Sequence, residues 1–170
     1  KPSNPSNSKS PAFTFTASEP TQCKLDAGAF SACTSPKGYS NLADGEHTFT
    51  VKATDTAGNT SQDAYTWTID ATPPTVTITG DKPANPTNSA SASFSFNASD
   101  PTQCKLDGGE FTACTSPATY SGLADGPHTF TVKATDAASN TAADSYTWTV
   151  DATAPTAAIV GGPAALSNTR

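Results

Sequence analysis

The chain has 170 residues, room for one or two domains, with a net charge of −6 and a pI near 4.6. That balance argues against a nucleic-acid partner, which wants a basic stripe, and against an anionic membrane surface. No apolar run reaches the ~18 residues of a spanning helix, and we expect no signal peptide within these residues. The absence of methionine leads us to expect a processed form or an excised segment. Only 14% of residues are charged, against a usual ~25%, and threonine fills much of the remainder. Threonine is β-branched and suits a half-buried pleated surface.

Shifted by 81 positions, the sequence lies on itself without a gap. Residues 1–74 against 82–155 give 52 identities in 74 pairs. Such internal repetition precedes any motif in importance. Asp70-Ala71-Thr72-Pro73-Pro74-Thr75 separates the copies, and Asp151-Ala152-Thr153-Ala154-Pro155-Thr156 repeats that joint. The boundaries expected are 1–73 for a first repeat that lacks its first strand, 74–154 for a second, and 155–170 for the first strand of a third. More repeats are expected on both sides.

In chain order, the second copy predicts strands near 75–80, 92–98, 102–107, 110–114, 127–136 and 143–151, with a weaker one through 118–123. Phe94, Phe96 and Ala98 alternate with Ser93, Ser95 and Asn97. Phe130, Val132 and Ala134 alternate with Thr129, Thr131 and Lys133. Tyr146, Trp148 and Val150 alternate with Thr147 and Thr149. Period-two alternation marks strands with one face in a core and one in water. Asp107-Gly108-Gly109, Ala124-Asp125-Gly126-Pro127 and Asp136-Ala137-Ala138-Ser139-Asn140 carry turn chemistry between them. No stretch has helical periodicity. The class expected is all-β, and about seven short strands per ~81 residues suggest a small sandwich. Trp67, Trp148, Phe49 and Phe130 are the expected core anchors.

Four cysteines admit three pairings. Cys23 and Cys33 flank Gly28, and Cys104 and Cys114 flank Gly109, each glycine midway between its pair. A turn centred on the glycine would set the two cysteines directly opposite across a hairpin, close to bridging distance. Since each copy must fold alone, pairing within each copy is expected, and paired cysteines imply an oxidising compartment outside the cytoplasm. A metal site and a catalytic thiol are the rival readings; a metal site needs two further nearby ligands, and each copy has one histidine.

Three segments together resemble the bacterial immunoglobulin-like (Big-type) tandem repeats of large secreted and surface proteins. They are Cys104-Lys105-Leu106-Asp107-Gly108-Gly109-Glu110-Phe111-Thr112-Ala113-Cys114, Leu123-Ala124-Asp125-Gly126 with His128 to Asp136, and Thr147-Trp148-Thr149-Val150-Asp151. The resemblance implies two tandem immunoglobulin-like β-sandwich domains and a stalk, spacer or adhesive role on a cell surface, with no reaction. It also admits calcium at the joints, for which Asp55, Asp70, Asp136 and Asp151 are the candidates; turn formation is the competing role of these residues.

No catalytic set stands out around His47 or His128, no cofactor is required, and the expected partners are neighbouring repeats. Lys52 and Lys133 lie on the polar strand face, which argues against an intramolecular isopeptide bond. Two further readings belong to other classes. One is a filament subunit, in which 155–162 of one chain completes the first domain of the next by strand addition. The other is a glycan- or protein-binding adhesin domain, for which Tyr39 and Tyr120 are the only loop aromatics to offer.

Overall fold

The computed structural model describes residues 1–162, and every regular element among them is a β-strand. In the first repeat these are β1 (Ala12–Phe13), β2 (Thr21–Leu25), β3 (Ser31–Cys33), β4 (Lys37–Gly38), β5 (Gly45–Thr54) and β6 (Thr60–Ile69). The second repeat adds β7 (Val76–Ile78), β8 (Ser91–Phe94), β9 (Phe96–Ala98), β10 (Thr102–Leu106) and β11 (Thr112–Ala113). It closes with β12 (Ala118–Ser121), β13 (Gly126–Thr135) and β14 (Thr141–Val150). Each repeat is a sandwich of the immunoglobulin-like type, with a four-stranded antiparallel sheet as one layer. The orders are β3-β2-β5-β6 and β11-β10-β13-β14.

The long hairpins β5–β6 and β13–β14 follow from unbroken alternation over ten residues, with threonine on the wet face. Thr48 pairs with Thr66 and Thr129 with Thr147, and their hydroxyls meet at 2.9 and 3.0 Å. Such cross-strand pairs stabilise a sheet on its solvent side. The inward residues build two cores. In the first, Phe13 stacks on Phe49 at 4.3 Å beside Trp67 and Ile69; in the second, Phe94 stacks on Phe130 at 4.2 Å beside Trp148 and Val150. Both tryptophans are 0% exposed, so the expected anchors are all buried.

The opposite layer differs between repeats. β8 pairs with β12 over four residues, whereas β1 pairs with β4 over two. Pro11 stands where Ala92 stands, and proline has no amide to give the ladder. Gly38 stands where Thr119 stands, and glycine is a poor strand former. The expected strand at 92–98 is broken at Ser95 into β8 and β9, because its halves serve different partners. β8 turns to β12, and β9 pairs with β7.

One element was not expected from the sequence. Ser6 makes a parallel bridge to Ile69, through Ser6 N to Thr68 O at 3.0 Å and Asp70 N to Ser6 O at 2.9 Å; Thr87 does the same to Val150. Side chains secure this edge. Asn4 accepts from the Thr68 amide, and the Tyr65 hydroxyl donates to the Pro2 carbonyl. Asn85 and Tyr146 repeat both bonds in the second repeat.

Candidate functional site

The sulfur pairs form within each repeat, Cys23 to Cys33 and Cys104 to Cys114, with Cα atoms 5.7 Å apart in both. The pairing across the hairpin is not the one expected. Cys23 lies opposite Ser31 and Cys33 opposite Thr21, and Cys104 lies opposite Thr112. The hairpins therefore centre on Ala27 and Gly108, one residue before the expected glycines, and the bridges run diagonally. The turn explains the shift. Asp26 takes a positive φ of 52°, and Gly28 N donates to Leu25 O at 2.9 Å, closing the chain early. Any Cβ at position 28 would sit 2.9 Å from that same oxygen, so the turn requires glycine there.

The two histidines act as clamps between loops. His47 Nδ1 lies 2.9 Å from Asp26 Oδ2 and its Nε2 lies 2.9 Å from the Ala43 carbonyl, with the ring 5.6 Å from that of Trp67. His128 repeats this with Asp107, Ala124 and Trp148. Both ring nitrogens face acceptors, which suits the doubly protonated imidazolium. The hydrogen bond to Asp26, then that to the Ala43 carbonyl, raises the His47 pKa above its ordinary 6.5 against desolvation; Asp107 and Ala124 do so for His128. Burial raises the Asp26 carboxyl, but bonds from His47 and the Thr48 amide outweigh it and hold it below 3.8. No hydroxyl or thiol nucleophile joins either histidine among its described contacts, so the geometry is that of a loop staple.

The four candidate calcium ligands are engaged by their own turns. Asp55 Oδ1 accepts from the Ala57 and Asn59 amides and Oδ2 from Asn59 Nδ2. The Asn59 side-chain bond leads in lowering its pKa. Asp136 accepts from Asn140 in the same way. Asp70 and Asp151 accept from the Thr72 and Thr153 amides. Among the described residues no three of the His, Cys, Asp and Glu side chains gather as a metal site would require.

The joint between the repeats is built from these turns. Thr72 Oγ1 donates to Asp44 Oδ2 at 2.9 Å, tying the linker to the repeat it leaves. From the other side, Asn140 Nδ2 donates at 2.7 Å to the Asp70 carbonyl. Ala138, in the same turn as Asn140, is 5% exposed, while its counterpart Ala57 is exposed. After the second repeat, Thr153 Oγ1 and the Ala152 amide both donate to Asp125, reproducing the Asp44 anchor.

The sandwich edges are not alike. In the second repeat β7 covers β9, and Ile78 N donates to Asp144 Oδ2 at 2.8 Å. Phe96 is 5% exposed beneath it, and Val132 and Ala134 are 0% exposed. In the first repeat no strand pairs with Phe15–Ala17 among the described residues, and Phe15, Val51 and Ala53 are only partly buried. A groove runs along this edge past Phe15, Val51, Asp63 and Tyr65. Residues 155–162 extend without a strand partner, and residues 163–170 of that expected strand lie outside the described residues.

The remaining sequence candidates pack inward or onto the sheet. Tyr39 and Tyr120 are not free loop aromatics. Tyr39 sits edge-on to Phe13 and Phe49, and Tyr120 against Phe94 and Phe130. Lys52 and Lys133 lie with Nζ 4.5 Å from the rings of Phe30 and Phe111, a cation–π contact on the sheet's outer face.

Residues 3–71 match a family described as bacterial Ig-like domain. No curated protein matches the chain. Among solved structures, the fibronectin(III)-like modules of Clostridium thermocellum CbhA are similar at a TM-score of 0.51 and 19% identity. The match covers 88% of this chain and 89% of that one.

Proposed function

With a bacterial Ig-like domain at residues 3–71 as the starting point, we propose that the chain is a non-catalytic spacer, a length of stalk in an extracellular bacterial surface protein. The observation that carries this reading is the joint. The linker has little slack, because Thr72 is bonded back to Asp44 and the Asp70 carbonyl is bonded forward to Asn140. The same anchor recurs after the second repeat, where Asp125 holds Ala152 and Thr153. Repeats that contact only their neighbours through such joints add length in proportion to their number. Two disulfides suit an oxidising compartment. The reading requires no cofactor, and its partners are the adjoining repeats.

Small-angle scattering tests it, comparing the chain with a version carrying one additional copy of residues 74–154. Ten-residue strands span about 33 Å, so the maximum dimension is expected to rise by roughly 35 Å. An unchanged maximum dimension, with repeats folded back on one another, overturns the spacer reading.

A further inference from the structure

The β4–β5 loop of the first repeat has the histidine clamp on one side and the inter-repeat linker on the other. His47 Nε2 lies 2.9 Å from the Ala43 carbonyl. The next residue, Asp44, accepts from Thr72 Oγ1 at 2.9 Å through Oδ2 and pairs with Lys9 Nζ at 3.0 Å through Oδ1. A single peptide unit thus joins the histidine's acceptor to the carboxylate that holds the linker. On the far side of the imidazole, Nδ1 lies 2.9 Å from Asp26 Oδ2, and Asp26 Oδ1 accepts from the Thr48 amide.

The ring satisfies both acceptors only when both of its nitrogens carry a proton. A neutral ring has one proton to give. The Asp26 carboxylate is the stronger acceptor, so that proton stays on Nδ1, and Nε2 turns a lone pair to the Ala43 oxygen. Two acceptors 2.9 Å apart repel, and a side chain only 13% exposed leaves little room for water to bridge them. The peptide between Ala43 and Asp44 has to rotate away, and it takes Asp44 with it. No other group around the ring makes up the loss. Trp67 packs its ring 5.6 Å away and carries no charge. Glu46 precedes His47 but projects from the opposite face of β5. Tyr39, its pKa raised by burial and then by Asp26, stays neutral. Lys9 and then Thr72 hold the Asp44 carboxyl below 3.8, so the anchor itself is ionised across the histidine range.

We propose that His47 is a pH latch on the joint between the repeats: the imidazolium fixes the 43–44 peptide and with it the Asp44–Thr72 tie, and deprotonation releases the linker. The bonds to Asp26 and to the Ala43 carbonyl raise the folded-state pKa above 6.5, so the joint is stiff below that raised value and loosens as pH rises through it. The second repeat carries the same relay, from His128 to the Ala124 carbonyl and from Asp125 to Thr153, so each joint answers to the repeat before it. The latch regulates the joint on which the spacer reading rests. A missing length increment overturns that reading, whereas a joint indifferent to pH overturns the latch alone.

The test is residual dipolar couplings of the two repeats in a neutral aligning medium, at about pH 5.5 and about pH 9, either side of the histidine range. At the lower pH one alignment tensor is expected to fit both repeats; at the higher, each repeat requires its own. The midpoint of this change should coincide with the His47 titration followed by its ring nitrogen shifts, and the neutral ring should be the Nδ1–H tautomer. His47→Gln leaves every other titrating group in place and is expected to abolish the pH dependence. His128→Gln, whose relay leads to Thr153 and not to this joint, is expected to keep it. Asp44→Ala, at an exposed position, is expected to leave two tensors at both pH values while His47 still titrates. One shared tensor at both pH values, or two already at the lower pH, in the wild-type chain overturns the proposal. So does a pH change that survives His47→Gln or Asp44→Ala, or one that His128→Gln abolishes.

Discussion

The two repeats share 52 of 74 aligned residues, both disulfides, both histidine clamps and the same stacked core, yet they differ along one edge. Three residues of β7 are enough to take Val132 and Ala134 to full burial, while Val51 and Ala53 in the first repeat stay partly open. Nearly the same sequence thus carries a strand along this edge in the second repeat and none among the described residues in the first. The difference comes from what lies beside the sheet, and it isolates the contribution of one short strand to a domain of this size.

Breaking the comparison at its strongest point means the second core. Trp148 is wholly buried, and Trp148→Ala is expected to cost about 3–5 kcal/mol. In the wild-type chain calorimetry is expected to resolve two transitions, the first repeat melting first. The alanine variant reverses their order. A milder change addresses the edge itself. Ile78→Asp puts a charge where β7 covers Phe96 and is expected to remove about 2–3 kcal/mol from the second repeat alone. The two transitions should then nearly coincide. If they stay apart, the repeats differ for a reason other than β7.

The smallest effect leaves the difference untouched. His47 and His128 both have raised pKa values in the fold, through Asp26 with the Ala43 carbonyl and Asp107 with the Ala124 carbonyl. Their stabilisation is complete below the unfolded value near 6.5 and is lost as pH rises through the raised folded value. The lowered Asp26 and Asp107 act in the opposite sense. Their contribution is present above 3.8 and fades as pH falls through the folded value. Both melting temperatures are expected to decline together between pH 6 and pH 9, by less than either substitution causes. His47→Gln should flatten that slope in the first repeat only, and an unchanged slope would separate the histidine from the pH effect.

How far each feature could be read from sequence follows from how local it is. β5, β6, β13 and β14 are written as ten-residue alternations, and Trp67, Trp148, Phe49 and Phe130 fall on their inward faces. The bridges of Ser6 and Thr87 left no trace, because a single parallel pair in a run of Asn, Pro and Ser has no periodicity. The cysteine register was missed by one turn residue. The positive φ of Asp26 and the early bond from Gly28 to Leu25 set it, and spacing alone placed the centre on the glycine. The joint was legible as a recurring segment. The Asn140 to Asp70 bond spans 70 residues, beyond any local pattern.

Both disulfides close loops of only 10 residues. Adjacent domains this alike are prone to exchange equivalent strands while they fold, since each offers the other a nearly native partner. A bridge of such short separation forms among near neighbours in the chain, where loop closure costs least entropy. Once formed, it holds the β2–β3 and β10–β11 hairpins within their own repeats. Removing the cysteines would therefore do more than loosen two hairpins. It would let each repeat compete for its neighbour's strands, and the product to look for is a swapped, aggregation-prone tandem rather than an unfolded one.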